Sequence, residues 1–333
     1  MTGQSDNQGP GPADLPTMPP LSEEELRATA LRLRNWGRWG KTDEAGTVNL
    51  VSPQAIVAAA RLVRSGQVIS LAMPFDRNGP HTAGRRGRYN PIHYMIQTGT
   101  DAYCGAQDAD GLRYADDAIA MPTQCGTQWD ALSHVFYDDH MYNGFDIRSV
   151  DSAGARHCGI EQVASRMVGR GVLLDVPRHL GLDDLADGFP ITRALVEDVV
   201  ATQGCAVGTG DFLLVRTGQL GRCLRQGDWG TYAGGNAPGL AFDTLDWIHD
   251  RDLAAVCSDT FAVEVRPEAT LHIRRPWHWV AIPNMGLSVG EIFQLDELAA
   301  TCAREGRWDF LFVAAPLPIT GAVGSPVNPL AIL

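Results

Sequence analysis

Apolar positions recur along the chain with two different periods, which predict interleaved helices and strands. Ser22 begins a capping-box sequence, and the apolar positions that follow it predict a helix to about Asn35. Ser52 and Pro53 are typical of the cap and first position of a second helix, which extends to about Arg64. Three more segments have helical periodicity, at residues 192–200, 241–249 and 291–304.

Seven short apolar runs predict strands, at residues 68–71, 93–97, 119–121, 171–176, 212–217, 254–258 and 309–314. The last four are continuously apolar, which is typical of strands buried on both faces. Helices alternate with these strands in the second half of the chain. We therefore expect one mixed α/β domain over residues 22–333. Residues 1–21 are rich in Gly, Pro and polar side chains, and we expect a disordered lead-in there.

Composition and charge restrict the classes of partner. The 333 residues are 44% hydrophobic and 20% charged, as in ordinary globular proteins. The net charge of −12 argues against nucleic acid or an anionic membrane as the main partner. The expected partner is a small-molecule substrate. The one dense basic run, Arg85-Arg86-Gly87-Arg88, is predicted to be a solvated loop.

Targeting signals and cysteine usage predict a cytoplasmic location. No apolar run approaches the roughly 20 residues that span a bilayer, and the N-terminal residues lack the charged-then-apolar pattern of a signal peptide. Seven scattered cysteines without a C-x-x-C pair indicate free thiols in a reducing compartment.

Two familiar phosphate-binding motifs are absent from the sequence, and a third motif, typical of serine hydrolases, lacks the catalytic partners that it requires. The sequence has neither G-x-G-x-x-G after a strand nor a P-loop. Residues 286–290 match the G-x-S-x-G motif of α/β-hydrolases, but that fold requires an acid and then a histidine after the serine. The last histidine is His278, which precedes Ser288, so the required order is not met. Ser288 and Glu291 instead predict a capping box that opens the following helix.

The segment from Gln124 to His134 is the most chemically dense part of the chain. If it is extended, Gln124, Gln128, Asp130 and His134 share one face, with Gly126 leaving room for an ion, water or substrate. Such a row of polar groups is costly to bury without partners, so it predicts a wet or ligand-filled cavity. An exposed polar strand face is the alternative. Neighbouring aromatic residues are predicted to contact the substrate, namely Trp129, Phe136, Tyr137, Trp36 and Trp39.

This segment resembles the H-x-G-T-H-x-D-x-P-x-H signature of the putative cyclase family, which includes bacterial kynurenine formamidase and isatin hydrolase. Gly126-Thr127, Asp130 and His134 match the signature at the family spacing. The resemblance extends over most of the chain from about residue 35 and includes residues 169–175, 210–218, 236–240 and 318–328.

The resemblance implies a metal-dependent amidohydrolase of the arylformamidase type. Its fold would be a swivelling β/β/α arrangement, with a closed or nearly closed sheet flanked by helices. The family habit implies a homodimer or homotetramer. Asp130 matches the family's metal ligand, and His134 matches the last signature histidine. His278 and Glu291 resemble the later pair that completes the site or performs acid–base catalysis.

The chain departs from the signature at both ligand histidines, which are replaced by Gln124 and Gln128, and Leu132 stands at the signature proline. An amide offers a carbonyl oxygen, which is a weaker and harder ligand than imidazole nitrogen. Zinc affinity is therefore expected to fall, and an oxygen-rich set with Asp130 suits Mn²⁺ or Mg²⁺ better. The cofactor expected from the resemblance is a divalent metal, Mn or Zn. Loss of the metal is the alternative.

Three functions remain open from the sequence. The first is a hydrolase that cleaves an amide, formamide, lactam or ester bond of a small aromatic or cyclic molecule. The second is a metal-free cyclase, lyase or isomerase of secondary metabolism, with Asp130 and His134 as acid and base. The third is a non-catalytic relative. The glutamine pair separates the first two, because it decides whether an ion is held.

Overall fold

A nine-stranded sheet lies at the centre of the computed structural model, which describes residues 18, 20–82, 87–267 and 273–333. The sheet curls into a half-barrel flanked by helices, in a mixed α/β single domain. Its strands, in spatial order, are β1 (Val68–Ser70), β15 (Leu330–Ile332), β13 (Asp309–Val313), β7 (Val168–Asp175), β9 (Phe212–Arg216), β11 (Ala255–Ser258), β12 (Ser288–Glu291), β4 (Gln128–Asp130) and β14 (Gly324–Pro326).

Strands β7, β9, β11 and β12 are parallel to one another, whereas β13 pairs antiparallel with β7 and β4 pairs antiparallel with β12. Strands β9 and β11 are buried along their length and β7 is buried from Gly171 onwards, as their continuous apolar runs predict. Successive side chains alternate between two hydrophobic cores, so Leu173 packs in one core and Leu174 in the other. Strand β13 alternates between buried and half-buried residues, so the expectation of full burial is wrong for it.

The helices that flank the sheet are α1 (Glu23–Arg32), α2 (Pro53–Ala60), α3 (Gly99–Tyr103), α4 (Val176–His179), α5 (Arg193–Gln203), α6 (Gln219–Gln226), α7 (Thr244–Asp250), α8 (Pro276–Val280) and α9 (Asp296–Glu305). The predicted caps at Ser22 and Ser52 are confirmed, because each accepts a hydrogen bond from the backbone amide three residues further on, and Thr192 caps α5 in the same way. None of the described helices is long and apolar enough to cross a membrane.

Six short strands lie outside the large sheet, in three two-stranded pairs. They are β2 (Ile92–Gln97) with β3 (Asp116–Ala120), β5 (Val150–Asp151) with β6 (Gly154–Ala155), and β8 (Pro190–Ile191) with β10 (Gly239–Leu240). The hairpin of β2 and β3 exposes large apolar side chains, among them Ile92, Tyr94 and Ile96.

Two local predictions are wrong. Residues 288–291 form strand β12 rather than a capping box, because β11 pairs with them in parallel register, and the helix that follows begins only at Asp296. The extended segment from Gln128 to His134 is a strand only to Asp130, after which the backbone turns. The predicted lead-in 1–21, apart from Met18, Pro20 and Leu21, lies outside the described residues, as do Arg85 and Arg86 of the basic run.

Candidate active site

The register between β4 and β12 brings polar side chains of distant segments together. Gln128 lies directly opposite Glu291 in this antiparallel pair, and Asp130 follows Gln128 on the same face. The Nε2 atom of Gln128 donates to Glu291 Oε2 at 3.0 Å and to Asp130 Oδ1 at 3.3 Å. One amide therefore bridges two buried carboxylates.

Helix α8 supplies a histidine to the same place. His278 is buried, and its Nδ1 atom lies 2.6 Å from Glu264 Oε1 while its Nε2 atom lies 3.2 Å from Glu291 Oε1. Glu264 is held in turn by the backbone N–H of Trp277, at 3.0 Å. Burial lowers the pKa of His278, but the charge of Glu264 and the hydrogen bonds to both carboxylates outweigh it and raise this pKa to about 9.

We call Gln128, Asp130, His278 and Glu291 the acid–base cluster. Burial and then the charge of Asp130 raise the pKa of Glu291, while the hydrogen bond to His278 opposes the shift. Ile292, with φ of 60°, turns the chain immediately after Glu291 and ends the strand there. The cluster thus has the paired carboxylates with differing environments that acid–base catalysis uses.

The donor set fits a hard divalent cation. Asp130, His278 and Glu291 each offer one ligand atom, and these atoms all lie within 4.8 Å of one another. The Oε1 atom of Gln128 is buried without a hydrogen-bond partner among the described residues. Rotation of this amide by half a turn would direct Oε1 between the two carboxylates, an arrangement of oxygens that a bound cation would stabilise. In the observed orientation the amide N–H group satisfies both carboxylates instead.

A pocket of about 440 Å³ opens onto the cluster, and Asp130, His278 and Glu291 line it. His134 lines it too; its side chain is 23% exposed, and its Nε2 atom lies 3.9 Å from Asp130 Oδ1. A backbone hydrogen bond from His134 to Ala131 closes the turn that aims this side chain at the pocket. Four of the six residues predicted to do chemistry or hold an ion thus surround one space.

The aromatic residues predicted to contact substrate divide into two groups. Phe136 lines the pocket. Trp129 is buried in the core on the opposite face of β4 from Asp130, where its indole N–H donates to the carbonyl of Ala314 at 2.7 Å. The predicted role of Trp129 in substrate contact is therefore wrong, because alternation along a strand sends it away from the site.

Tyr137, Trp36 and Trp39 are not among the residues that line this pocket, so their role in substrate contact stays a prediction. Tyr137 packs against Trp279, with ring centroids 4.3 Å apart. Trp36 donates its indole N–H to the carbonyl of Pro283, and Trp39 lies under the guanidinium of Arg38. Each of these aromatic rings is used in packing elsewhere in the fold.

Gln124 is not among the residues that line the pocket. Its side chain is buried against Gly324, where its Oε1 accepts from Thr123 at 2.9 Å and its Nε2 has no partner among the described residues. The geometry therefore supports Gln128, rather than Gln124, as the amide that faces the two carboxylates.

Glu264, which positions His278, was not predicted from the sequence. One signal was available, because Glu264 interrupts the apolar run from Ala262 to Val265, and a carboxylate inside such a run needs a buried partner. His81 and Arg275, which also line the pocket, carried no such signal.

The fold is mixed α/β with a buried polar cluster at a pocket, and comparison with known proteins shows the family to which it belongs. The sequence model of the family described as "Putative cyclase" matches residues 69–265. A crystal structure described as that of a novel cyclase is 41% identical, covers 90% of this chain and 99% of its own, and superposes with a TM-score of 0.82. The chain belongs to the putative cyclase family, as its signature segment predicts.

More distant structures share the fold. Isatin hydrolase A from Labrenzia aggregata is 19% identical over 84% of this chain and 98% of its own, with a TM-score of 0.58. A predicted metal-dependent hydrolase from Bacillus stearothermophilus is 18% identical over 80% of this chain and 97% of its own, with a TM-score of 0.51. No curated protein matches the sequence significantly.

Proposed function

We propose that this protein is a hydrolase that cleaves an amide, formamide, lactam or ester bond in a small aromatic or cyclic molecule. The observation that carries the proposal is the buried acid–base cluster at a pocket of about 440 Å³, a volume typical of small-molecule sites. Membership of the cyclase family and the fold shared with isatin hydrolases support it.

In this proposal Glu291 is the general base. Its raised pKa makes it a better proton acceptor at neutral pH than an ordinary carboxylate. Water loses a proton to Glu291 as its oxygen attacks the substrate carbonyl. The bond to the leaving nitrogen or oxygen then breaks, and His134 at the pocket wall gives that atom a proton. His278, held by Glu264, remains protonated and stabilises negative charge that develops nearby.

A divalent ion in this cluster would be held by Asp130, Glu291 and His278, with Gln128 able to turn its Oε1 atom towards it. When bound, it would supply Lewis-acid polarisation of the carbonyl and a lower pKa for water. Glu264 would then fix the imidazole tautomer by accepting from Nδ1, which leaves Nε2 for the ion.

The experiment is turnover of a panel of aryl formamides, lactams and aryl esters by the wild type and by two isosteric variants. Asp130→Asn and Glu291→Gln are each expected to lower kcat/KM by about 10²-fold or more, because removal of a general base or its partner costs that much. Glu297→Gln, an exposed carboxylate at the start of α9, is the matched control and should leave turnover unchanged. Absence of turnover by the wild type, or full activity in both variants, would contradict the proposal.

A second candidate is a metal-free cyclase, lyase or isomerase that uses Asp130 and His134 as acid and base. The replacement of both signature histidines by Gln124 and Gln128 favours it, because an amide is a weaker ligand for a metal ion than an imidazole. Elemental analysis of protein purified without chelator separates the two candidates. Stoichiometric Mn or Zn supports the hydrolase, whereas an empty site with turnover of a cyclising substrate supports the alternative.

A further inference from the structure

Arginine side chains outnumber carboxylates in the lining of the pocket, although the whole chain has a net charge of −12. Three of them, Arg88, Arg274 and Arg275, have no carboxylate oxygen within 4.0 Å among the described residues. The two carboxylates that line the pocket are hydrogen-bonded inside the acid–base cluster. The pocket therefore presents positive charge that the described protein groups do not pair.

Arg275 carries the strongest sign of a missing partner. Its Nη1 atom is buried and makes no hydrogen bond to any described residue. A buried charged donor without an acceptor is costly, so an acceptor from a ligand would complete this arrangement. The planar guanidinium offers parallel N–H groups that match the two oxygens of a carboxylate.

Two further side chains with hydrogen-bond donors, Arg88 and His81, lie beside Phe261 in the same pocket. Arg88 lies 5.8 Å from the centroid of the Phe261 ring, and the one hydrogen bond that its side chain makes to a described residue, the carbonyl of Gln124, is long at 3.4 Å. His81 packs edge-on against Phe261, and both of its ring nitrogens are buried without a partner among the described residues. Burial and then the charge of Arg88 lower the pKa of His81, which favours the neutral imidazole with its one N–H donor.

We propose that the substrate carries a carboxylate group, which Arg275 and Arg88 bind while the acid–base cluster acts on a nearby bond of the same molecule. This inference rests on the proposed function and adds the substrate class to it. Phe136 and Phe261 supply apolar walls for a ring, so the ligand that fits best is an aromatic or cyclic acid. A neutral ring compound would leave the buried donor of Arg275 unpaired.

Equilibrium binding tests the proposal without any need for turnover. Benzoate, benzamide and phenyl phosphate are titrated into the protein, and binding is measured by calorimetry. Benzoate is expected to bind at least tenfold more tightly than benzamide, because a hydrogen bond between two charged groups is stronger than one to a neutral amide. Arg275→Met should abolish this preference by weakening benzoate at least tenfold, with benzamide unchanged.

Arg64→Met, which removes an exposed arginine outside the pocket, is the control and should keep the preference. If Arg275→Met is not folded by circular dichroism, Arg88→Met tests the same prediction independently and should weaken benzoate several-fold. Equal binding of benzoate and benzamide, or a preference that survives both pocket variants, would overturn the proposal. Tighter binding of phenyl phosphate than of benzoate would overturn the assignment to a carboxylate. Selective benzoate binding without hydrolysis of the panel would leave this inference standing and refute the proposed function alone.

Discussion

Replacement of Gln128 by glutamate tests the geometry on which the site depends. Glutamate has nearly the same shape as glutamine, but it would put an anionic oxygen where Nε2 now lies 3.0 Å from Glu291 and 3.3 Å from Asp130. At an effective dielectric constant of about 20, each of these contacts would repel by about 5 kcal/mol. An ionised glutamate is therefore too costly at this position, and the side chain must take up a proton on folding.

The cost of that proton sets the expected loss of stability. A glutamate with an ordinary pKa of about 4.3 costs about 3.7 kcal/mol to protonate at pH 7 but only about 1 kcal/mol at pH 5. Because the pKa of the new carboxyl is raised in the folded state, its penalty grows as the pH rises above about 4.3 and stops growing at the folded-state pKa. The Gln128→Glu variant should thus lose about 3 kcal/mol more of its unfolding free energy at pH 7 than at pH 5.

Urea denaturation at the two pH values, each compared with the wild type, measures this difference. Gln128→Met is the matched control, because it removes the same two N–H donors and adds no titrating group, so its loss relative to the wild type should change between the two pH values by much less than that of Gln128→Glu. If Gln128→Glu loses the same free energy at pH 5 and pH 7, residue 128 does not face the two carboxylates and the description of the site is refuted.

Four further predictions follow from the same structure. Glu264→Gln should lower the pKa of His278 below its value of about 9, and an NMR titration in which this pKa does not move would contradict the role given to Glu264. Trp129→Ala should cost about 3–5 kcal/mol of unfolding free energy, as for other buried tryptophans. KM should stay unchanged because Trp129 lies in the core, and a raised KM would indicate that Trp129 contacts the substrate. Joint replacement of Gln124 and Gln128 by histidine should raise zinc affinity at least tenfold by calorimetry, and no gain would indicate a pocket reshaped away from an ion. The expected homodimer or homotetramer, for which the exposed apolar hairpin of β2 and β3 offers a surface, predicts a sedimentation mass of two or four chains, so a monomer would argue against it.

Features that depend on neighbours in the sequence were predictable from the sequence alone. The caps at Ser22, Ser52 and Thr192 each accept a hydrogen bond from the backbone amide only three residues further along the chain. The apolar runs of β7, β9 and β11 indicate directly that these strands are buried. The family could be identified for the same reason, because its signature around Asp130 and His134 is a local pattern.

Pairings across the fold were decided only by the tertiary structure. Gln128 and Glu291 are 163 residues apart in sequence, and only the register of β4 against β12 brings the amide to the carboxylate. Pairing with β11 likewise made a strand of residues 288–291, whose local pattern favours a helix cap. Glu264 acquired its role in the same way, since a buried carboxylate is stable only where the rest of the chain delivers a partner, here the imidazole of His278.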